Sequence, residues 1–258
     1  MESYTPSTYG DKIADIYDEP GQTPGDAQQA ADMLSRLAQT LAPQTPRLLE
    51  FGIGTGRIAL PLLDRGCAVT GVDCSTEMLK RCAEADQSGR LTLISADMAT
   101  VSVPDADFHV VYAAWNTLYH ALTQDDQIQV FTNAGRHLTP GGHFVVQGFV
   151  PDPTAFQAHQ RTRVYDLQDN LVDLDFTMDD PVNQRLTTQY LIFRPDRTEF
   201  RPVKQRYCWP SELDLMARLA GLDLVSRHGD WAGAPFISTS TDNISVYRRP
   251  TTSREDHT

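Results

Sequence analysis

The stretch from Arg47 to Asp73, RLLEFGIGTGRIALPLLDRGCAVTGVD, restricts the fold more than any other part of this chain of 258 residues. A short apolar run leads into three glycines at 52, 54 and 56, a helix predicted at Thr55–Arg65, and a second apolar run that ends in an acid. Glycine tolerates positive φ and lets the backbone approach a ligand closely. Strand, glycine turn, helix and strand in this order are typical of a parallel βαβ unit that binds a nucleotide-type ligand. The stretch therefore predicts an α/β fold.

The glycine spacing favours one class of ligand. Dinucleotide sites usually have G-x-G-x-x-G, because the pyrophosphate sits on the helix N-terminus. Here the third glycine comes one residue earlier, and Glu50 stands just before the first. A carboxylate beside the turn repels pyrophosphate but can pair, directly or through water, with a cationic ligand. Asp73 ends the second strand, where a carboxylate can accept both ribose hydroxyls, so the spacing favours a positively charged nucleoside.

The segment Glu50-Phe51-Gly52-Ile53-Gly54-Thr55-Gly56 resembles the first motif of the class I S-adenosylmethionine-dependent methyltransferases, (D/E)-x-G-x-G-x-G. The resemblance implies a Rossmann-like, doubly wound seven-stranded sheet, with S-adenosylmethionine as cofactor and S-adenosylhomocysteine as product. It also places Cys74 and Met78 near the adenine edge, and Asp97 near the adenine amino group. Core packing is an equally good account of Met78, and an ordinary turn carboxylate is the alternative for Asp97. The residues expected to contact the cofactor are Tyr17, Glu50, Gly52, Gly54, Gly56, Asp73, Cys74, Met78, Asp97, Met98, Ala114 and Trp115.

Residues 1–46 are expected to form an arm and a helix that precede the core. The arm is polar with spaced tyrosines, and residues 27–41 show helical periodicity. The resemblance implies that the arm closes over the cofactor, with the ring face of Tyr17 against the sulfonium. The alternative is a loosely packed arm.

Residues 47–150 form the predicted cofactor-binding core, whose fourth strand (108–114) is followed by Trp115 and Asn116. Open α/β sheets bind ligands at the carboxyl ends of their strands. His120 lies just beyond and is the candidate base, since an unperturbed His has a pKa of ~6.5; packing against the next helix is the alternative. Trp115 is expected to contact the sulfonium or to wall the substrate pocket. The candidate catalytic residues are His120, Tyr17, Tyr9 and Asn116.

The pattern changes after the fifth strand, which is predicted at residues 143–150 after the turn Pro140-Gly141-Gly142. Residues 151–207 contain four segments of β-type alternation separated by turn signals. They predict an antiparallel β insert that serves as a substrate platform or as the surface of a homodimer, with plain surface decoration as the alternative. Residues 208–250 are expected to complete the core with a last helix and strands, and residues 251–258 to form a disordered tail.

Composition limits the partners and the location. The formal net charge is −12, which argues against nucleic acids and anionic membranes because both attract basic surfaces. The chain has no run of 18 apolar residues and no signal-peptide core, so we expect a cytoplasmic protein without membrane attachment. None of the four cysteines forms C-x-x-C, and no metal site is expected.

The resemblance covers nearly the whole chain and is strongest to natural-product methyltransferases, including peptide α-N-methyltransferases and sugar-amine N-methyltransferases. It implies methyl transfer to an amine or hydroxyl of a small molecule or peptide, by in-line displacement with a base near the acceptor. An NAD-dependent oxidoreductase is one alternative, although none of the three lysines completes the Tyr-x-x-x-Lys of the short-chain type. A cofactor-binding protein without turnover is another.

Overall fold

The computed structural model describes residues 4–19, 25–104 and 107–251. The strands are β1 Arg47–Phe51, β2 Ala68–Asp73, β3 Thr92–Ser95, β4 Phe108–Ala113, β5 Leu138–Phe149, β6 Gln160–Gln168, β7 Leu171–Asp180, β8 Arg185–Phe193, β9 Thr198–Arg206, β10 Asp223–His228 and β11 Asp242–Arg248. The α-helices are α1 Thr8–Ile13, α2 Ala27–Leu41, α3 Ala59–Asp64, α4 Thr76–Ala85, α5 Gln124–His137 and α6 Pro210–Leu219.

The main sheet has seven strands in the order β10-β11-β5-β4-β1-β2-β3. Its strands run parallel except β11, which is antiparallel to both of its neighbours. The strand order reverses between β1 and β4, and this is where open α/β sheets place their ligands. The predicted doubly wound, seven-stranded fold is therefore confirmed.

Alternating side chains on the central strands build a core on each face of this sheet. Leu48 and Val110 are buried with α2 and α3 on one face. Leu49 and Val111 are buried with α5 and α6 on the other. Near-continuous apolar strands covered by helices on both sides are what a parallel sheet requires.

Two predicted boundaries differ from the structure. Helix α3 begins at Ala59 and not at Thr55, because the glycine turn continues to Gly56, which has a φ of 87°. Strand β5 begins at Leu138 and not at His143, because Pro140-Gly141-Gly142 lies within the strand, where the register with β4 shifts. Glycine at positive φ accommodates such irregularity without ending the strand.

Strands β6 to β9 form a separate four-stranded antiparallel sheet, as predicted for the insert. On β7, Asp175 and Thr177 are buried, whereas Phe176 and Met178, which alternate with them, are half exposed. On this strand the side turned toward the rest of the molecule is thus polar and the outward side is apolar. This is the reverse of the usual arrangement in a half-solvated sheet.

Helix α1 was not predicted, because six residues are too few for a clear periodic pattern. It packs closely on the start of α4, since a Cβ at Gly10 would lie 2.6 Å from Ser75 Cβ. At the other end of the chain, residues 252–258 of the predicted tail at 251–258 lie outside the described residues. No helix in the described ranges has the length and apolar character needed to cross a membrane.

Candidate active site

A cavity of about 950 Å³ opens at the carboxyl ends of β1, β2 and β4. Its walls come from the main sheet, the N-terminal arm and the inner face of the β6–β9 sheet. Most of the predicted site residues meet there, although they are spread over more than a hundred positions of the chain. Those in the wall are Tyr9, Tyr17, Gly52, Gly54, Asp73, Cys74, Met78, Asp97, Met98, Trp115, Asn116 and His120.

The glycine turn and Asp73 form one hydrogen-bonded unit. Gly52 and Gly54 have φ values of 68° and 57°. A Cβ at Gly52 would lie 2.5 Å from Thr117 Cγ2, so this position has no room for a side chain. The Gly54 N–H donates to Asp73 Oδ2 at 2.9 Å, and the Ser75 N–H donates to Oδ1 at 2.8 Å. A carboxylate has about four lone-pair sites, so Asp73 keeps capacity to accept a ligand hydroxyl.

Three predicted cofactor residues lie behind this wall and not in it. Glu50 is 4% exposed and accepts a 2.7 Å hydrogen bond from Tyr112 Oη. Burial raises the pKa of Glu50 to about 8, although Tyr112 and Arg57 favour its charged form. A Cβ at Gly56 would lie 2.8 Å from Cys82 Sγ, so this glycine serves helix packing. Ala114 is buried in the core next to Tyr112. A direct cofactor contact by any of the three stays a prediction.

The backbone after β4 is strained and held by side chains. Trp115 and Asn116 have φ values of 43° and 64°, a conformation that typically costs ~1–3 kcal/mol for residues other than glycine. Gln147 Oε1 accepts from the Trp115 N–H at 2.9 Å and from Trp231 Nε1 at 3.0 Å. Asn116 Oδ1 accepts from the Phe149 N–H at 2.8 Å. Gln147 was not identified from the sequence, but a lone Gln within the apolar strand β5 is a usable signal.

Aromatic rings surround this strained turn. The Arg57 guanidinium lies over the Trp115 ring at 5.1 Å and is ion-paired with Asp26. The Tyr17 ring lies 5.7 Å from the Trp115 ring, and its Cε1 atom lies 3.9 Å from the Cβ position of Gly54. The arm thus brings the Tyr17 ring over the glycine turn.

His120 and Tyr9 form a stacked pair in the cavity wall. His120 ends a 3-10 turn at 117–120, and its ring lies 5.1 Å from that of Tyr9 at an angle of 23°. Removal from bulk water lowers the pKa of His120 to about 4 and raises the pKa of Tyr9 well above its ordinary value. Both side chains are therefore neutral near physiological pH. The expected pKa of ~6.5 for His120 is corrected by this burial.

Comparisons with known proteins agree with this geometry. A model of a methyltransferase domain matches residues 48–142. The structure of the CcbJ methyltransferase from Streptomyces caelestis is 38% identical, covers 96% of this chain and all of that one, and superposes with a TM-score of 0.89. This chain belongs to the S-adenosylmethionine-dependent methyltransferases. The methyltransferase is also 28% identical over 208 residues to the cypemycin N-terminal methyltransferase of a Streptomyces species, which is 78% of this chain and 82% of the relative.

A more distant structure shares the fold alone. The amino pentose methyltransferase CalS10 from Micromonospora echinaspora, solved with bound S-adenosylmethionine, is 18% identical and has a TM-score of 0.66. It covers 91% of this chain, and 95% of its own length is matched. The likeness therefore extends beyond the cofactor-binding core to nearly the whole methyltransferase.

The wall of this methyltransferase fits its cofactor. The turn contains glycines, which leave room for a ligand because they have no side chain. The Asp73 carboxylate, oriented by hydrogen bonds, lies beside them, and the rings of Tyr17 and Trp115 lie above. Asp73 and Asp97 supply negative charge, which suits a cationic ligand. No group of three or more His, Cys, Asp and Glu residues in the described ranges is arranged to hold a metal ion.

The arm of the methyltransferase is attached to both walls of the cavity. Ser75 Oγ donates to Asp11 at 2.7 Å, and Thr55 Oγ1 donates to Asp18 at 2.8 Å. At the opposite side, the Lys204 N–H of β9 donates to Tyr4 Oη at 3.2 Å. Sequence reasoning missed both aspartates, and acids interspersed with the arm tyrosines were the available signal.

The β6–β9 sheet closes the cavity opposite the glycine turn. Its inner face contributes Arg161, Arg163, Tyr165, Leu186, Thr188, Tyr190, Val203 and Gln205. None of these was singled out from the sequence, because β-type alternation does not show which face of a sheet turns inward. The methyltransferase thus uses a sheet face of mixed polar and apolar side chains as a wall.

Proposed function

We propose that this methyltransferase transfers the methyl group to an amine of a small molecule or peptide natural product. The proposal rests on His120, a neutral imidazole stacked on Tyr9 next to the strained turn after β4. Relatives support the same class without deciding the acceptor.

The cofactor half of the cavity has residues suited to each part of the ligand. Bound S-adenosylmethionine supplies an electrophilic methyl group on a cationic sulfur. Asp73 accepts the ribose hydroxyls, and Asp97 accepts from the adenine amino group. Tyr17 and Trp115 present ring faces to the positive charge, an interaction worth ~0.5–2 kcal/mol. These contacts hold the methyl donor in one orientation, which is the main requirement of an in-line displacement.

The acceptor half is suited to an uncharged amine. A neutral imidazole can accept a hydrogen bond from an amine N–H and so point the nitrogen lone pair at the methyl group. A protonated imidazole would repel both the sulfonium and an ammonium. A base with a pKa of about 4 is poorly matched to an alcohol, whose proton is far more weakly acidic. An amine can lose its proton to water before it binds, so it needs only orientation from His120, Tyr9 and Asn116.

Relatives provide two candidate acceptor atoms. The cypemycin N-terminal methyltransferase is named for an N-terminal acceptor. A 27-O-demethylrifamycin SV methyltransferase from Amycolatopsis mediterranei, 29% identical over 180 residues, is named for an oxygen acceptor. A hydroxyl is therefore the second candidate.

The test is turnover with matched acceptors. Purified protein is incubated with S-adenosylmethionine and pairs of compounds that differ only in an amine or a hydroxyl at one position, and mass spectrometry reads the addition of one methyl group. We expect amines to be methylated and the matched alcohols not. Methylation of the alcohols alone would reassign the acceptor to oxygen. Retention of S-adenosylhomocysteine without turnover of any amine would contradict the proposal.

We also infer that the insert forms a homodimer through its outward face. The exposed apolar side chains on this face include Val164, Leu167, Phe176, Met178 and Phe200, each at least half exposed. A contiguous apolar surface of this kind marks an interaction site, and a second copy supplies a complementary sheet. Light scattering coupled to gel filtration should give a dimer that Phe176→Asp converts to a monomer. Asp166→Ala, on the same sheet but pointing inward, is the control, and a monomeric wild type would refute the inference.

A further inference from the structure

Two arginines stand in the cavity wall that the insert provides. Arg161 and Arg163 are on β6, and both side chains line the cavity. The Arg161 guanidinium lies over the Phe156 ring at 5.1 Å, which fixes its plane. Its Nη2 atom is 3.5 Å from Thr177 Oγ1, at the outer limit of a hydrogen bond. Its Nε atom is shielded from solvent and has no hydrogen-bond acceptor among the described residues.

Two other arginines of the same sheet are paired. Arg201 is ion-paired with Glu199, and Arg206 is ion-paired with Glu212 at 2.6 Å. Neither Arg161 nor Arg163 is within salt-bridge distance of a carboxylate in the described ranges. Buried donors in folded proteins normally have acceptors. The cavity wall therefore contains two arginines that have no carboxylate partner in the described ranges, and a ligand in the cavity can supply one.

The nearest buried carboxylate does not fill this role. Asp175 lies opposite Arg163 across the β6–β7 pair. Its oxygens accept hydrogen bonds from Tyr165 Oη at 2.5 Å and from Thr177 Oγ1 at 3.0 Å. Asp175 does not line the cavity, whereas both arginines do. Its negative charge nearby favours a singly charged ligand over a phosphate, which carries close to two charges.

We propose that the acceptor substrate carries a carboxylate that binds Arg161 and Arg163. This rests on the proposed function, because the same cavity must hold the amine at His120. A guanidinium matches a carboxylate with two parallel hydrogen bonds. Arg163 adds a second positive charge beside it. The substrate class is thus an amine that also bears a carboxylate, held at one end by β6 and presented at the other to the methyl donor.

The test separates carboxylate binding from methyl transfer. The full chain, saturated with S-adenosylhomocysteine, is titrated by calorimetry with phenylacetate and with phenylacetamide, which has the same shape without the charge. We expect phenylacetate to bind about tenfold more tightly or better, and Arg161→Gln to remove that preference, since a bidentate charged hydrogen-bond pair is lost. Arg161→Lys keeps the positive charge but loses the planar guanidinium, so this variant should retain part of the preference for phenylacetate. Arg197→Gln, an exposed arginine in the turn between β8 and β9 and outside the cavity, should leave the preference intact.

Each outcome decides the proposal. Equal affinity for the two probes, no measurable binding of phenylacetate, or an equal loss in Arg197→Gln overturns it. Tighter binding of phenyl phosphate than of phenylacetate also counts against a carboxylate site. Unchanged affinity of Arg161→Gln for S-adenosylhomocysteine shows that the variant is folded. If no amine is methylated while the phenylacetate preference persists, the proposed function fails and the anion site stands.

Discussion

The two halves of the cavity are built in different ways. The cofactor half consists of a glycine turn and carboxylates, Asp73 and Asp97, whose positions follow from strand ends. The acceptor half combines His120 and Tyr9 with side chains from a separate sheet, including Arg161 and Arg163. Backbone geometry defines the first wall and side-chain identity defines the second. Substitutions in the two halves should therefore separate cofactor binding from acceptor binding.

The largest expected effect is on the cofactor half. Asp73→Ala removes the acceptor for the Gly54 and Ser75 N–H groups as well as the proposed ribose partner. Charged hydrogen bonds of this kind are worth ~1.5–3 kcal/mol each, so affinity for S-adenosylhomocysteine should fall by about 100-fold or more. Calorimetry measures this affinity, and Asp64→Ala, at the exposed end of α3, is the control. An unchanged affinity would remove Asp73 from the cofactor site.

A smaller effect, confined to the acceptor half, is expected from His120→Ala. If His120 orients the amine, kcat should fall by ~10- to 100-fold, at or below the lower end of a typical general-base contribution. Affinity for S-adenosylhomocysteine should not change. Because burial lowers the pKa of His120 to about 4, the imidazole stays neutral from weakly acidic to alkaline pH.

The pH–rate profile provides the decisive control for this variant. The rise of rate with pH should follow deprotonation of the amine and should persist in His120→Ala. The wild-type profile could instead contain a limb near ~6.5, the ordinary pKa of His, that is absent from the profile of His120→Ala. That result would show that His120 ionises during turnover and acts as the base.

The smallest effect concerns Glu50, behind the cofactor half. Its raised pKa of about 8 means that this carboxyl is mostly protonated at neutral pH. A cationic ligand nearby favours the charged form and lowers that pKa, so binding should release a fraction of a proton. Affinity for S-adenosylmethionine should then increase as pH rises toward about 8. Calorimetry in buffers of different ionisation enthalpy measures the release, which Glu50→Gln should abolish. The same release in the variant would place its source elsewhere.

Local chain chemistry made much of the cofactor half predictable. Gly52, Gly54 and Gly56 all adopt positive φ, and the acid that ends β2 lies beside them. The four alternating segments of the insert also correspond to strands β6 to β9, because alternation and turn residues are local signals. Strand ends in a parallel sheet meet at one edge, so linear spacing was enough to bring these groups together.

The acceptor half depended on contacts that linear patterns do not contain. Gln147 holds the strained turn at Trp115 from a strand that is remote in sequence. His120 was expected to ionise near neutrality, yet its pKa depends on burial under Tyr9 and the arm. Which face of the insert turns inward was also open, because the polar face of a sheet normally faces water.

The sequence by itself determined the sheet, the glycine turn and the cofactor class, because each depends on residues close together in the chain. Only the tertiary structure decided which side chains face the acceptor. The reason is physical: a cavity wall assembled from an arm, a strand end and a second sheet exists only after these segments pack. Burial in that packed state, and not residue type, then sets the charge of His120 and leaves the Arg161 Nε donor without an acceptor among the described residues.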